Sequence, residues 1–111
     1  MSRRKYLHYK ELARNLVKER ISHFSRFYNF KVNKIFIKNH KRRWGSCSSR
    51  KNLNFNYKIL FLAPALCDYL IVHELCHLQE MNHSKKFWEL VGQTIKDYKT
   101  LNKKLKKTII S

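Results

Sequence analysis

The feature that most constrains this fold is an apolar segment over about residues 65–81. If the segment is helical, apolar residues occupy nearly every face of the helix, which is typical of a helix buried in a core. Pro64 precedes the segment and suits the first turn of a helix, where its missing N–H costs nothing. The rest of the chain is therefore expected to pack around this helix.

The buried helix carries ionisable residues near its centre, in the order His73-Glu74-Leu75-Cys76-His77. Histidines at this spacing are rotated by about 40° and separated by about 6 Å along a helix, so both imidazoles can face one ion. Glu74 lies about 100° around from His73, where a carboxylate beside the ion can accept a proton from water. Burying these groups without a metal or other partners would be costly, so the spacing predicts a zinc site with Glu74 as general base.

A catalytic zinc ion needs a third protein ligand. His83 is the first candidate, because a turn after a helix that ends near Met81 would bring its imidazole back towards the metal. Its spacing from His77 also matches the third ligand of the HExxHxxGxxH metzincins, with Glu80 at the glycine position. Two alternatives stay open, because Glu80 shares the helical stripe of the two histidines and Glu89 follows on the next helix.

Other patterns predict one long helix and a small sheet before the buried helix. Apolar residues recur at helical spacing over about residues 7–28, which indicates an amphipathic helix. Residues 32–38 are β-branched and aromatic, and residues 53–59 alternate apolar and polar side chains, so both are expected to be strands. Residues 43–48 could add a short strand, with residues 49–52 as the hairpin turn. We predict a small, largely antiparallel sheet.

A further amphipathic helix is expected after the buried one. Ser84 has the side chain of an N-cap, and apolar residues follow it at helical spacing. These residues are Phe87, Trp88, Val91, Ile95 and Tyr98. The lysine-rich tail after Leu101 is expected to extend this helix or to fray. No repeat or linker divides the chain, and its 111 residues fit one domain.

The charge of the chain is strongly unbalanced, with 25 Lys and Arg against 7 Asp and Glu and a net charge of +18. Such a surface favours polyanions, so we expect weak, non-specific nucleic-acid binding in addition to a peptide or protein substrate. The alternative is that the charge serves solubility alone.

Cysteine usage and the N-terminal sequence indicate the cellular compartment. Cys47, Cys67 and Cys76 have neither the spacing of a metal ribbon nor that of a disulfide framework, so free thiols in a reducing compartment are expected. The basic N-terminus is not followed by the apolar run of a signal peptide, and no window approaches a membrane span. The predicted location is cytoplasmic.

Several short motifs follow one another over about residues 42–99. They are Trp44-Gly45-Ser46-Cys47, Asp68-Tyr69, His73-Glu74-Leu75-Cys76-His77-Leu78, Asn82-His83-Ser84, Phe87-Trp88 and Asp97-Tyr98-Lys99. In order and spacing the set resembles the YgjP-like metallopeptidase family, a relative of the SprT-like proteases and other minimal zincins. The set is far more specific than the HExxH motif alone.

The resemblance implies a fold class. It is an α+β, minimal zincin-like domain with a small antiparallel sheet, an N-terminal helix, a buried HExxH helix and a C-terminal helix. One domain would span residues 1–111, with a motif-bearing core at about 42–99 and a basic helical tail at about 100–111.

The resemblance also implies a site. One Zn²⁺ per chain would be bound by His73, His77 and His83, and Glu74 would activate zinc-bound water to hydrolyse peptide bonds. An extended substrate would pair with an edge strand, and Gly45 supports this because glycine in a strand permits close backbone approach. The residues of that edge strand are Trp44, Gly45, Ser46 and Cys47.

Two other functions compete with a metalloendopeptidase of general substrates. The first is a nucleic-acid-associated, SprT-like protease that cuts proteins bound to DNA or RNA, which the basic surface favours. The second is a non-catalytic binding module that zinc merely stabilises. Glu74 argues against the second, because a structural zinc site has no use for that carboxylate.

Overall fold

The computed structural model describes residues 1–110, and its elements follow the predicted α+β arrangement. A long helix leads into three short strands, and the other helices follow. The helices are α1 (Arg3–Phe24), α2 (Pro64–Cys76), α3 (Lys85–Gly92) and α4 (Tyr98–Lys107), and the strands are β1 (Lys34–Lys38), β2 (Gly45–Cys47) and β3 (Asn52–Asn56). A 3₁₀ helix (Tyr57–Phe61) connects β3 to α2.

α1 begins and ends earlier than the predicted range of 7–28. The Ser2 hydroxyl accepts a hydrogen bond from the Lys5 N–H at 3.2 Å and so caps the first turn. Tyr28 ends the predicted range but lies beyond the helix. Its hydroxyl donates to the Leu90 carbonyl and is hydrogen-bonded to the Thr94 hydroxyl at 2.8 Å. These contacts tie the chain after α1 to α3.

The sheet is mixed, which corrects the prediction of an antiparallel sheet. β3 is central: β2 pairs with it antiparallel, with Cys47 opposite Leu53, and β1 pairs with it parallel, with Lys34 opposite Asn52. The chain crosses from one edge of the sheet to the other between β1 and β2. Alternating side chains indicate a strand but not the direction of its neighbour, so the sequence pattern could not distinguish the two arrangements. β2 lies at an edge, as predicted.

β3 ends at Asn56, before the end of the alternating pattern over residues 53–59. The buried side chain of Asn56 accepts a hydrogen bond from the Lys58 N–H at 3.0 Å, which starts the 3₁₀ helix. Its Nδ2 atom donates to the carbonyl groups of His40 at 2.7 Å and Arg43 at 3.1 Å. One amide therefore ends β3 and holds the loop that leads into β2.

Replacing Asn56 with Ala is expected to lower the free energy of unfolding by about 2–3 kcal/mol, because two carbonyl groups beside a buried side chain lose their donor. Urea unfolding measures the change. Asn54→Ala is the matched control, because Asn54 lies on the same strand and its side chain makes no hydrogen bond within the described residues. Equal losses in the two variants would contradict the proposed role of Asn56.

α2 lies at the centre of the fold, as its apolar sequence predicts. It contacts α1, α3, α4 and β2, and Arg20 of α1 binds Asp68 of α2 through two contacts of 2.8 and 3.0 Å. The largest fully buried side chains of the core are Tyr69, Phe55, Phe87, Leu53, Ile59, Ile71 and Leu75. Among the described helices, none combines the length and apolar character that crossing a membrane requires.

The helix predicted after α2 is divided into two. Ser84 caps α3 as predicted, with its hydroxyl accepting from the Phe87 N–H at 3.3 Å. Residues 93–97 then form turns before α4 begins. Leu101 is buried and α4 packs on α2, so the lysine-rich tail is helical as far as Lys107.

Candidate metal centre

Three histidines meet at the C-terminal end of α2. His73 lies in its last turn, His77 caps it, and His83 belongs to the loop before α3. One ligand atom from each lies within 4.8 Å of the others, and the Nε2 atoms of His77 and His83 are 3.0 Å apart. Two nitrogens on one tetrahedral zinc ion are about 3.4 Å apart at Zn–N distances of about 2.1 Å, so these imidazoles fit such an ion.

The return of the chain after α2 explains how His83 reaches the other two histidines. α2 ends at Cys76, earlier than the predicted end near residue 81, and the Glu80 N–H bonds the Cys76 carbonyl at 3.0 Å. The Nδ1 atom of His77 lies 3.0 Å from the Glu80 carbonyl oxygen. Because a carbonyl only accepts, Nδ1 carries the hydrogen and Nε2 offers its lone pair to the cluster.

Three other possible ligands lie outside this cluster. Glu80 contributes its backbone carbonyl rather than its carboxylate, and Glu89 is exposed on α3. Cys76 lies inside the motif but is fully buried in the core, and burial raises the pKa of its thiol to about 12. The Cys76 thiol is also not among the ligand atoms that lie within 4.8 Å of one another. The grouping of side chains therefore favours His83 as the third ligand.

The ring of Phe87 supports all three imidazoles from one side. Its centroid lies 5.1 Å from that of His73, 4.4 Å from that of His77 and 5.0 Å from that of His83. Phe87 has no exposed surface. Trp88 adds a second contact, with its ring 5.7 Å from the His83 ring. The aromatic start of α3 thus restricts the orientation of the histidines.

The surroundings of His77 and His83 favour the neutral imidazole. Burial lowers the pKa of His77. Burial also lowers the pKa of His83, and the nearby charges that His73 and His77 would carry lower it further. Only the neutral imidazole has a lone pair for a metal, so this environment is suited to metal binding.

Glu74 lies beside His73 in the last turn of α2. The residue is 3% exposed, and its Oε2 atom lies 3.3 Å from Nδ1 of His73. Gly45 of β2 approaches so closely that a Cβ atom there would lie 3.3 Å from Oε2 of Glu74 and 3.1 Å from the Asn54 carbonyl oxygen. The absence of a side chain at Gly45 therefore allows β2 to lie against Glu74.

A cleft of about 160 Å³ opens onto His73 and Glu74. Its walls come from the start of β2, from α2 and from α4. Its lining residues are Trp44, Gly45, Tyr69, Leu70, His73, Glu74, Asn102 and Leu105. Of the four residues predicted for the edge strand, Trp44 and Gly45 line the cleft, whereas Ser46 and Cys47 lie further along β2.

Sequence reasoning missed the contribution of α4 to this cleft, because the tail was expected to lie outside the metal motif. Asn102 accepts a hydrogen bond from the Tyr69 hydroxyl at 2.8 Å, and the Trp44 indole N–H donates to the Thr108 carbonyl at 3.3 Å. The signal was the spacing of Leu101 and Leu105, which lie on one face of a helix.

The fold resembles that of two archaeal metallopeptidases. The crystal structure of the metallopeptidase zymogen of Pyrococcus abyssi abylysin superposes with a TM-score of 0.71 at 20% identity, covering 80% of this chain and 90% of that one. For the metallopeptidase zymogen of Methanocaldococcus jannaschii jannalysin, the TM-score is 0.66 at 25% identity, with 80% and 92% covered.

A sequence comparison with curated proteins finds no match. The profile of the YgjP-like metallopeptidase domain, by contrast, matches residues 2–108. This range extends well beyond the motif-bearing residues 42–99 and includes all of α1 and α4. The histidine cluster and the matched range together lead to one conclusion: the chain belongs to the YgjP-like metallopeptidase family.

Proposed function

We propose that this protein is a zinc-dependent metalloendopeptidase that hydrolyses peptide bonds with Glu74 as its catalytic base. The observation that carries the proposal is a buried carboxylate next to a cluster of three histidines, with a cleft that opens onto His73 and Glu74. Membership of a metallopeptidase family supports it. A purely structural site would not need the carboxylate, so the non-catalytic module is the weaker alternative.

His73, His77 and His83 would hold the zinc ion through their ring nitrogens. A zinc ion in such a site polarises a carbonyl group and lowers the pKa of water. Glu74 would accept a proton from the attacking water and then donate it to the leaving amine. The Glu80 carbonyl keeps His77 in the tautomer that this arrangement needs.

The edge strand β2 is the proposed support for the substrate backbone. One side of β2 pairs with β3, and its other edge has no partner strand among the described residues. An extended peptide could add to this edge through main-chain hydrogen bonds that begin at Gly45, beside Glu74. Trp44, Ser46 and Cys47 would then flank the peptide.

The direct test is to measure zinc content and peptide hydrolysis in the same purified sample. We expect about one zinc per chain, as one three-ligand site requires, together with hydrolysis that a chelator removes and added zinc restores. A protein without bound zinc, whose thermal stability does not change when zinc is added, would contradict the proposal.

His83→Ala is expected to weaken zinc binding as strongly as His77→Ala, because each variant loses one of three ligands. Titration of the metal-free variants with zinc measures the effect. Glu80→Ala and Glu89→Ala are matched controls and should keep the affinity of the wild type, because neither carboxylate belongs to the cluster. If Glu89→Ala loses zinc and His83→Ala does not, the third ligand is misassigned.

Nucleic-acid association is a second candidate property, favoured by the exposed lysines of α4 and the net charge of +18. Replacing Lys103, Lys104 and Lys107 with Gln is expected to flatten the salt dependence of duplex DNA binding, by about 0.9 in logarithmic slope for each lost phosphate contact. Fluorescence anisotropy over a salt series measures the slope. Absence of DNA binding by the wild type even at low salt would exclude this property.

The three cysteines bear on the cellular compartment. We expect a reducing, cytoplasmic environment, which the three free thiols support. Burial raises the pKa of Cys47 and Cys67 to about 11, which slows their oxidation at neutral pH.

A further inference from the structure

A second groove adjoins the metal cleft and continues away from it between α4 and the loop that precedes β2. Its volume is about 460 Å³. The residues that matter for its chemistry are Lys41, Arg42, Trp44, Leu105, Lys106 and Ile109. Trp44, Leu105 and Asn102 also line the cleft at Glu74, so the groove and the cleft are neighbours that share these three side chains.

Among the described residues, the side chains that line the groove include cations and no carboxylate. The cations are Lys41, Arg42 and Lys106. In the described part of the chain, the arginines that form ion pairs are Arg14 and Arg20, both on α1. No ion pair there involves Lys41, Arg42 or Lys106. These cations are therefore available to a ligand that carries negative charge.

The position of the groove relative to β2 identifies the ligand as a peptide. Lys41 and Arg42 precede β2 in the chain, so a peptide that adds to the edge at Gly45 and continues past Trp44 enters the groove. Trp44, Leu105 and Ile109 provide an apolar surface for its aliphatic atoms. The hydrogen bond from the Trp44 indole to the Thr108 carbonyl holds the two walls together.

We propose that this groove binds acidic side chains of the substrate, so that the peptidase selects peptides with Asp or Glu on one side of the scissile bond. The proposal rests on the proposed function and adds its substrate class. The proposal also argues against the alternative function, in which the protease cuts proteins bound to DNA or RNA. Proteins that bind DNA or RNA carry basic contact surfaces, and basic segments would be repelled by Lys41, Arg42 and Lys106.

Three quenched fluorescent peptide sets test the proposal. They share one apolar centre and carry Glu, Gln or Lys residues on either flank. We expect kcat/KM to be about tenfold higher for Glu flanks than for Gln flanks, on one side of the scissile bond only, and lowest for Lys flanks. The preference should shrink at high salt, because exposed charges are screened. Equal kcat/KM values for Glu and Gln flanks would overturn the proposal.

Single substitutions assign the preference to the groove. Lys106→Gln and Arg42→Gln are each expected to reduce the Glu/Gln ratio about two- to threefold. Lys18→Gln makes the same change of charge at an exposed position of α1 that lines neither the groove nor the cleft, and should leave the ratio as it is. If all three variants reduce the ratio equally, net charge rather than the groove selects the substrate, and the proposal fails.

A binding experiment separates this proposal from the proposed function. Zinc-loaded Glu74→Gln protein is titrated with fluorescein-labelled Glu-flanked and Gln-flanked peptides. The groove is supported if the Glu-flanked peptide binds more tightly than the Gln-flanked peptide and if Arg42→Gln weakens that binding. This result holds even if the wild type cleaves no peptide, and in that case only the proposed function fails. If Lys106→Gln and Arg42→Gln weaken the binding of duplex DNA and leave peptide preference intact, the groove is a nucleic-acid surface and the proposal is overturned.

Discussion

Peptide hydrolysis is expected to fall by about 10²–10⁴-fold when Glu74 is replaced by Gln, because the amide cannot accept a proton from water. Gln has nearly the shape of Glu, so the contact of the side chain with His73 and its close approach to Gly45 should persist. The quantity to measure is kcat/KM for one peptide under zinc saturation. Metal content should stay at the wild-type value, because the carboxylate is not a member of the histidine cluster.

The control for this experiment is Glu80→Gln, which removes a carboxylate from the loop after α2 but keeps the backbone carbonyl that His77 contacts. We expect this variant to retain hydrolysis. If Glu74→Gln remains as active as Glu80→Gln, Glu74 is not the base. If Glu74→Gln loses zinc as well as activity, the carboxylate holds the site together and its role as a base is not supported.

Replacing Phe87 with Ala is expected to lower the free energy of unfolding of the metal-free protein by about 3–5 kcal/mol, because the side chain is fully buried. The same change should weaken zinc binding. Phe87 contacts His73, His77 and His83, and without its ring the imidazoles lose the surface that orients them.

Denaturant unfolding and zinc titration measure the two effects of this substitution. Phe61→Ala is the control, because Phe61 is 64% exposed and lies on the 3₁₀ helix. We expect the control to change neither quantity by more than about 1 kcal/mol. A stability loss with unchanged zinc affinity would mean that the histidines are oriented without Phe87.

The central helix was predictable because its evidence is local. A single run of apolar residues with Pro64 before it predicts a buried helix, and the spacing of His73 and His77 places both on one face. The proximity of His83 was predicted too, although α2 ends at Cys76 rather than near residue 81. After Cys76 the chain tightens, with the Leu78 N–H donating to the Leu75 carbonyl and the Gln79 N–H to the Cys76 carbonyl, and no cap residue in the sequence signals this end.

The features that were not predictable depend on contacts between distant residues. β1 runs parallel to β3 and opposite to β2, so the type of pairing depends on which of the two strands β1 joins, and the alternating pattern of its side chains is the same in either case. Similarly, the tail has the composition of a solvated helix, and only the pairing of Tyr69 with Asn102 and of Trp44 with Thr108 brings it to the cleft. The spacing of Leu101 and Leu105 indicates that one face of the tail packs on the protein, but it does not identify these partners.

The close approach of Gly45 to Glu74 also limits how this scaffold can be redesigned. Any larger residue at Gly45 would displace the carboxylate, the Asn54 carbonyl or the Leu70 side chain, each within 3.3 Å of the new Cβ atom. A mutant library aimed at new cleavage preferences should therefore keep Gly45 constant and vary Ser46, the next residue of the strand, whose side chain lies on the opposite face of β2. Substitutions at that position can alter the binding of the peptide without displacing the Glu74 carboxylate.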